Sequence, residues 1–395
     1  MKSICYFACY DSPLGASSRT FIFAKQLARA GYQVTIVTSS YNHLMGKKSK
    51  KLNGFYSKER VDGVDIIWVY GLNYKSNTNT LLRFLHMIQY SLLALIISIL
   101  IVKRCDFIMG TTVPSFSGLV ALFLAKLKKS CFVIEIRDVW PEELIDIGLI
   151  RSDGLVAQVL RSIEKLLYKK SNFIISSLPN TNNHVQKIIK DKKVLYLPNP
   201  LDSSLEFNVY SGGEESKLEI AYVGSSARAM SIDTILKSIS LLDSYNINLT
   251  IVGPKDYVQN FYKSKKQPIP KNISLFDFVP KNKIPYFINK ADVLIHSCID
   301  SDQLKFGINS NKLLDYLSSG RVVILAAKVK NDPVSLSSGG YLIKPEDEKV
   351  MAKQIESIFY MSPNERYETG KKGLDYVELN LREDLLTQKL IKLFK

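Results

Sequence analysis

The sequence has no Cys-x-x-Cys pair and no cluster of cysteine and histidine; its five cysteines are Cys5, Cys9, Cys105, Cys131 and Cys298. An odd, scattered set argues against a disulfide framework and a structural zinc site, and for a reducing compartment. Cys5 and Cys9 read as small core residues on a buried strand and its turn. There is no Gly-x-Gly-x-x-Gly, which weakens a nicotinamide or flavin reading. Repeats and low-complexity tracts are absent. The apolar run in MKSICYFACYDSP is too short for a signal peptide, so a cytoplasmic location is expected.

Acidic residues are scarce in one half only. Residues 1–200 carry 27 Lys and Arg against 13 Asp and Glu; residues 201–395 carry 26 against 24. Nearly all of the +16 net charge therefore lies in the first half, which implies an anionic partner: nucleic acid, acidic lipid or a phosphate-bearing substrate. A generally lysine-rich surface is the bland alternative, but it would not spare the second half. No nucleic-acid-binding motif accompanies the charge, so no nucleic-acid partner is expected.

What is present is the balance of a folded protein, with 46% hydrophobic and 23% charged residues. At 395 residues, two domains are expected. Short apolar runs at 3–9, 33–38, 64–70, 107–110, 131–136 and 173–176 read as strands, with an amphipathic helix at 18–31 between the first two. Continuous apolar strands alternating with helices indicate a parallel sheet covered on both faces. The polar, lysine-rich interval 42–60 reads as a loop. A stretch rich in Pro, Gly, Ser and acidic residues follows, and strands restart at 219–223, 248–252, 273–276, 293–297 and 322–325. The expected organisation is an N-terminal domain at 1–200, a linker at 201–217, a second domain of the same type at 218–373, and a C-terminal helix at 374–395 that could pack back on the first domain. Ligands of such sheets bind outside the carboxyl ends of the strands.

Residues 84–102 are nineteen residues without a formal charge, flanked by Arg83, Lys103 and Arg104. The length could just span a bilayer. A span would separate strands of one sheet, so a buried or interfacial helix is expected, with basic neighbours suited to acidic lipids.

Four segments carry chemistry. In DSPLGASSRT, Gly15 permits close backbone approach, Ser17 or Ser18 can cap the helix that follows, and Arg19 adds charge to a helix start that favours an anion; a simple capped helix fits equally. At 135–142, EIRDVWPE ends an apolar strand. Asp138 could orient an acceptor hydroxyl and Trp140 could stack on a sugar, or Arg137 and Asp138 could be a structural pair beside a core tryptophan. Gly224 and Ser225 end a strand, and Arg228 precedes a helix, a turn suited to phosphate. At 305–324, KFGINSNKLLDYLSSGRVVI places Asn309, Ser310 and Asn311 at a helix start, with Lys312 and Asp315 on one face. Such a turn suits a diphosphate and a ribose; a capped surface helix is the alternative.

GASSRT at 15–20, EIRDVWPE at 135–142, LPNPLD at 197–202 and FGINSNKLLDYLSSGRVVI at 306–324 together resemble the retaining glycosyltransferases of family 4, closest to the fucosamine-transferase-like branch of bacterial surface-polysaccharide enzymes. The resemblance implies an α/β fold of the GT-B type: two facing Rossmann-like domains with parallel sheets and a cleft between them. It also implies transfer, with retention, of a sugar from a nucleoside diphosphate donor, UDP-linked and carrying an N-acetylated hexosamine or deoxyhexosamine. The acceptor would be lipid-linked or a membrane glycan, in O-antigen or capsule synthesis at the cytoplasmic membrane face. Arg228 and Lys312 would hold the diphosphate, Asp315 the ribose, and Phe278, Val279 and Pro280 the base. Gly15, Ser17, Ser18, Arg19, Arg137, Trp140 and Glu142 would form the acceptor side, with Asp138 catalytic. No metal or other cofactor is expected. The sequence departs from the family at two places: the first of its paired glutamates is replaced by Gly307, and Arg137 stands where many relatives carry histidine. The first departure motivates an alternative, a nucleotide-sugar-binding scaffold or sensor without transfer.

Overall fold

The computed structural model describes residues 1–11, 19–42, 47–74, 80–225 and 229–395. They form two units, Met1–Pro200 with Glu383–Lys395, and Leu201–Arg382.

The first unit is built on β1 (Ser3–Phe7), β2 (Gln33–Ser39), β3 (Tyr56–Val61), β4 (Val64–Val69), β5 (Phe107–Thr111), β6 (Cys131–Ile136), β7 (Phe173–Ser176) and β8 (Val194–Tyr196). Their order is β8-β7-β6-β5-β1-β2-β4-β3, all parallel except β3, which runs antiparallel to β4 at the edge. The expected strands are all present. β3 falls almost wholly inside the interval read as a loop, because its YSKERV sequence alternates as an edge strand does and carries no apolar run. Strand order reverses beside β1, so the chain leaves opposite sides of the sheet after β1 and β5, opening a crevice at their carboxyl ends.

Helices cover both faces of this sheet. On one lie α1 (Arg19–Arg29) and the last helix of the chain, Glu383–Phe394, whose Leu386, Leu390, Ile391 and Phe394 join a core with Ile4, Tyr6, Phe23, Leu27 and Trp68. On the other lie α2 (Thr80–Ile101), α3 (Ser115–Lys128) and α4 (Leu155–Lys170). The C-terminal segment expected as one helix from 374 is two, Pro363–Asn380 and Glu383–Phe394; the break at Leu381 and Arg382 is where the chain passes from the second unit to the first.

The second unit repeats the plan with β9 (Leu218–Val223), β10 (Ile247–Val252), β11 (Ile273–Phe276), β12 (Val293–Ser297), β13 (Val322–Ala326) and β14 (Gly340–Ile343), in the parallel order β11-β10-β9-β12-β13-β14. One face is covered by α5 (Ile232–Ser240) and α7 (Glu348–Phe359), the other by α6 (Asn311–Ser318) and α8 (Pro363–Asn380). Residues expected as linker belong to this unit: Tyr210 is buried with its hydroxyl 3.2 Å from Asp292, and the fully buried Arg366 donates to the carbonyls of Glu214 and Lys217. Both halves therefore have the α/β architecture read from the sequence.

Candidate active site

The second unit concentrates its unusual features at the carboxyl ends of β9, β10 and β12. Gly224 ends β9 with φ +151°, and Gly253 ends β10 with φ +113°. A Cβ on Gly253 would lie 2.3 Å from the Gly224 carbonyl oxygen, so the two strand ends approach as only glycines allow. α6 is locked to this edge by Tyr316, whose hydroxyl accepts from the Val223 N–H at 2.8 Å and donates to the Val223 carbonyl at 3.2 Å.

One turn before Tyr316, that lock delivers Lys312. Its Nζ lies 4.9 Å from the centre of the Tyr222 ring and 3.1 Å from the Tyr222 hydroxyl, which itself donates to the Ser225 carbonyl at 2.6 Å. Among the described residues no carboxylate forms an ion pair with Lys312. Burial pushes the ammonium down to about 8, with Cys298 opposing the shift. A buried cation that lacks a counter-ion is costly until an anion arrives. Helix α6 begins there too, capped by Ser310 without a side-chain hydrogen bond, so its first N–H groups add to the positive field.

Asp315 is buried on α6, and burial raises its carboxyl to about 7; Lys281 pulls it down, while Asp202, which pairs with Lys281 at 2.5 Å, pushes it up. Phe278 is 68% exposed, with its ring edge against Gly253, where it offers an aromatic face to a ligand. Val279 and Pro280 follow it toward Lys281. Asn309 and Asn311 flank Ser310 at the helix start. Gly307 has φ +111°, a backbone state that disfavours any residue with a side chain, glutamate included. Arg228 lies outside the described residues. Sequence reasoning missed His296, on β12. It is buried, neither ring nitrogen has a hydrogen-bond partner among the described residues, and burial, then the Lys312 charge, push it down to about 3. Its only sequence signal is a histidine in an otherwise apolar strand.

In the first unit, Arg137, at the end of β6, pairs with Asp11 at 2.5 Å and Glu135 at 2.9 Å. Arg19, the first residue of α1, pairs with the same Glu135 at 2.9 Å and donates to the carbonyls of Leu197 and Pro198 at 2.7 and 2.5 Å. Burial favours the neutral form of Glu135, but the two guanidiniums win and hold it down at about 2. The anion-binding role expected for Arg19 is therefore corrected: its guanidinium is 3% exposed and satisfied internally. Arg137, expected to meet an acceptor, is likewise tied to two carboxylates. Gly15, Ser17 and Ser18 lie outside the described residues.

Trp140 also corrects an expectation. It is 5% exposed, so it presents no face for a sugar, and its indole N–H donates to Glu143 Oε2 at 2.9 Å. Glu142 is partly exposed and pairs with Arg161 at 2.9 Å. Asp138 remains partly exposed without an ion pair among the described residues. Its carboxyl is raised by burial against the pull of Arg137. Glu143 is raised to about 8, by burial first and by Asp138 second. Two neighbouring carboxyl groups of this kind can pass a proton to or from a hydroxyl. The sequence did not single out Glu143, because it sits beside Glu142 with nothing to distinguish the two. Among the described residues no group of three His, Cys, Asp or Glu is placed to hold a metal ion.

Residues 208–374 match the family model described as glycosyl transferases group 1. The matched residues lie within the second unit. No curated protein sequence matches the chain. Solved structures are similar over both units. Sucrose-phosphate synthase from Thermosynechococcus elongatus superposes with TM-score 0.76 at 12% identity, covering 100% of this chain and 98% of that one. The catalytic domain of starch synthase IV from Arabidopsis thaliana, bound to ADP and acarbose, gives 0.70 at 12% identity, with 100% and 98% covered. Anabaena HepE in complex with UDP-glucose gives 0.70 at 11%, with 100% and 99% covered. At such identities the likeness establishes the fold, which is GT-B with two Rossmann-like domains.

Proposed function

We propose that the protein is a retaining glycosyltransferase that moves a sugar, an N-acetylated hexosamine or deoxyhexosamine, from a UDP-linked donor to a lipid-linked or membrane glycan acceptor in surface-polysaccharide synthesis. The observation that carries this is Lys312, a half-buried ammonium that pairs with no carboxylate among the described residues, at the start of α6 over the glycine end of β9, within the stretch that matches the group 1 model. A diphosphate supplies the missing charge. Phe278 stacks on the base and Asp315 accepts from ribose hydroxyls. As the sugar–phosphate bond breaks, negative charge grows on the departing diphosphate, and Lys312, with Arg228, stabilises it. That role calls for no metal. Solved structures of the same fold with bound ADP and UDP-glucose support the donor class, and the likeness of residues 306–324 to family 4 supports retention.

The first unit takes the acceptor, with Asp138 as the group that receives its hydroxyl proton. The basic first half and the apolar α2 support an acceptor held at the cytoplasmic membrane face among acidic lipids. Gly307, in place of the family's glutamate, favours a second reading, a nucleotide-sugar-binding scaffold or sensor without transfer. Calorimetry with UDP, GDP and a nucleoside monophosphate separates donor binding from its absence. Selective UDP binding, lost in Lys312→Ala, is expected. A folded protein that binds no diphosphate would overturn the assignment. Binding without turnover on membrane glycan acceptors would favour the scaffold.

A further inference from the structure

The first unit covers one face of its sheet with α2, α3 and α4, packed side by side. Each helix joins two parallel strands, so all three run the same way and end at the same edge. Two contacts fix α2 against α3: the rings of Phe84 and Phe116 meet edge to face at 5.7 Å, and Lys128 Nζ donates to the Ile99 carbonyl at 3.2 Å. On its inner side α2 buries Tyr90, Ala94 and Ile97, and the Tyr90 hydroxyl donates to the Val37 carbonyl.

The outer side is apolar and uncovered. Leu92, Ile96 and Leu100 of α2 are 58%, 55% and 77% exposed. Phe123 and Leu127 of α3, and Leu155 and Val159 of α4, continue the layer. Scattered exposed leucines need no explanation, but adjacent stripes on three packed helices do. The charge on this layer has one sign. α2 and α3 contain no acidic residue, and the single one of α4, Glu164, is buried and bonded to His184 at 2.7 Å. At the shared edge where the helices end stand Lys103 and Arg104, Lys126 and Lys129, and Lys169 and Lys170, all exposed.

We propose that this three-helix layer docks the first unit on the surface of an anionic lipid bilayer, with the apolar stripes at the acyl boundary and the basic helix ends among the headgroups. The proposal rests on the membrane-acceptor reading above and gives it a surface. An apolar face with a mainly cationic edge, where the exposed Asp106 is held by Ser3, complements a medium that is apolar within and anionic at its border. A second copy offers no acidic complement on the same face. Leu81–Ile101 is long and apolar enough to cross a membrane, but its buried side is spent on the sheet, and β4 before it and β5 after it belong to that sheet. The helix therefore lies along the lipid surface.

The test sediments the full chain with phosphatidylcholine vesicles, with and without phosphatidylglycerol. Binding is expected to the anionic vesicles, and Lys103→Gln/Arg104→Gln/Lys126→Gln should weaken it about fivefold per charge at low salt. Leu92→Gln/Ile96→Gln/Phe123→Gln should abolish it. Calorimetry with UDP on the same variants shows that they are folded. If wild-type protein binds UDP but no vesicle, or if neither variant changes vesicle binding, the docking face is wrong while the donor reading stands. If light scattering finds a dimer that the apolar variant dissolves, and no vesicle binding, the face belongs between two copies. If vesicle binding behaves as expected but UDP does not bind, the transferase reading fails and the docking face survives.

Discussion

Lys312 rests on the bare backbone of Gly224: a Cβ built there would stand 2.2 Å from the lysine Cε and 2.4 Å from its Nζ. The glycine makes the channel that the ammonium occupies, and its φ of +151° suits no other residue well. Gly224→Ala should therefore displace Lys312 and weaken UDP binding at least about tenfold, or about 1.4 kcal/mol. Calorimetry measures this directly. Wild-type affinity in a folded Gly224→Ala protein would show that the ammonium does not depend on this contact.

The depressed basicity of Lys312 gives UDP binding a pH limit. Only the charged form attracts a diphosphate, and in the free protein that form is lost as pH rises through about 8. Affinity should hold below that value and fall above it by up to about tenfold per pH unit. Binding above pH 8 must also take up a proton, which calorimetry in buffers of different ionisation enthalpy detects. A flat affinity from pH 7 to 10 would contradict the assignment.

Glu143 predicts a trend in stability. Its folded value of about 8 exceeds its ordinary 4.5, so the folded state holds this proton more tightly than the unfolded chain. The wild-type protein should lose stability from this group as pH rises from about 4.5 through about 8. Glu143→Gln has no proton to lose, so its melting temperature should gain on wild type across that window. Thermal unfolding at pH 5, 6.5 and 8 reads the gap. A gap that stays constant would mean the carboxyl ionises normally.

The network around Glu135 should be a point of fragility. Glu135→Gln leaves Arg19 buried without its counter-ion, which costs roughly 3–5 kcal/mol. Both tryptophans, Trp68 and Trp140, lie in the first unit, so their fluorescence in denaturant follows that unit alone. Little change in its unfolding midpoint would show that the pair is not needed for stability.

Period and composition made the sheets legible, because strands such as QVTIVT and CFVIEI are apolar and bounded by polar turns. The strands that escaped were alternating or very short: Tyr56–Val61, the three-residue Val194–Tyr196, and Gly340–Ile343, which opens on a glycine. At the site, the start of α6 was readable because Lys312 and Asp315 lie within one local pattern. Arg19 was misread for the opposite reason. Its place at a helix start is local, but its partner Glu135 is 116 residues away, and nothing near Arg19 announces that carboxylate. Trp140 and Glu143 failed similarly, since a strand end does not say which of its neighbours turns inward.

The helix Glu383–Phe394 completes the first unit's core with residues encoded after the whole second unit. During synthesis, Leu201–Arg382 has its complete sequence before the first unit does. The nascent first unit meanwhile waits with the seat of Phe394, against Phe107 and Tyr32, still open. The order of emergence from the ribosome is thus the reverse of the order in which the two cores can close.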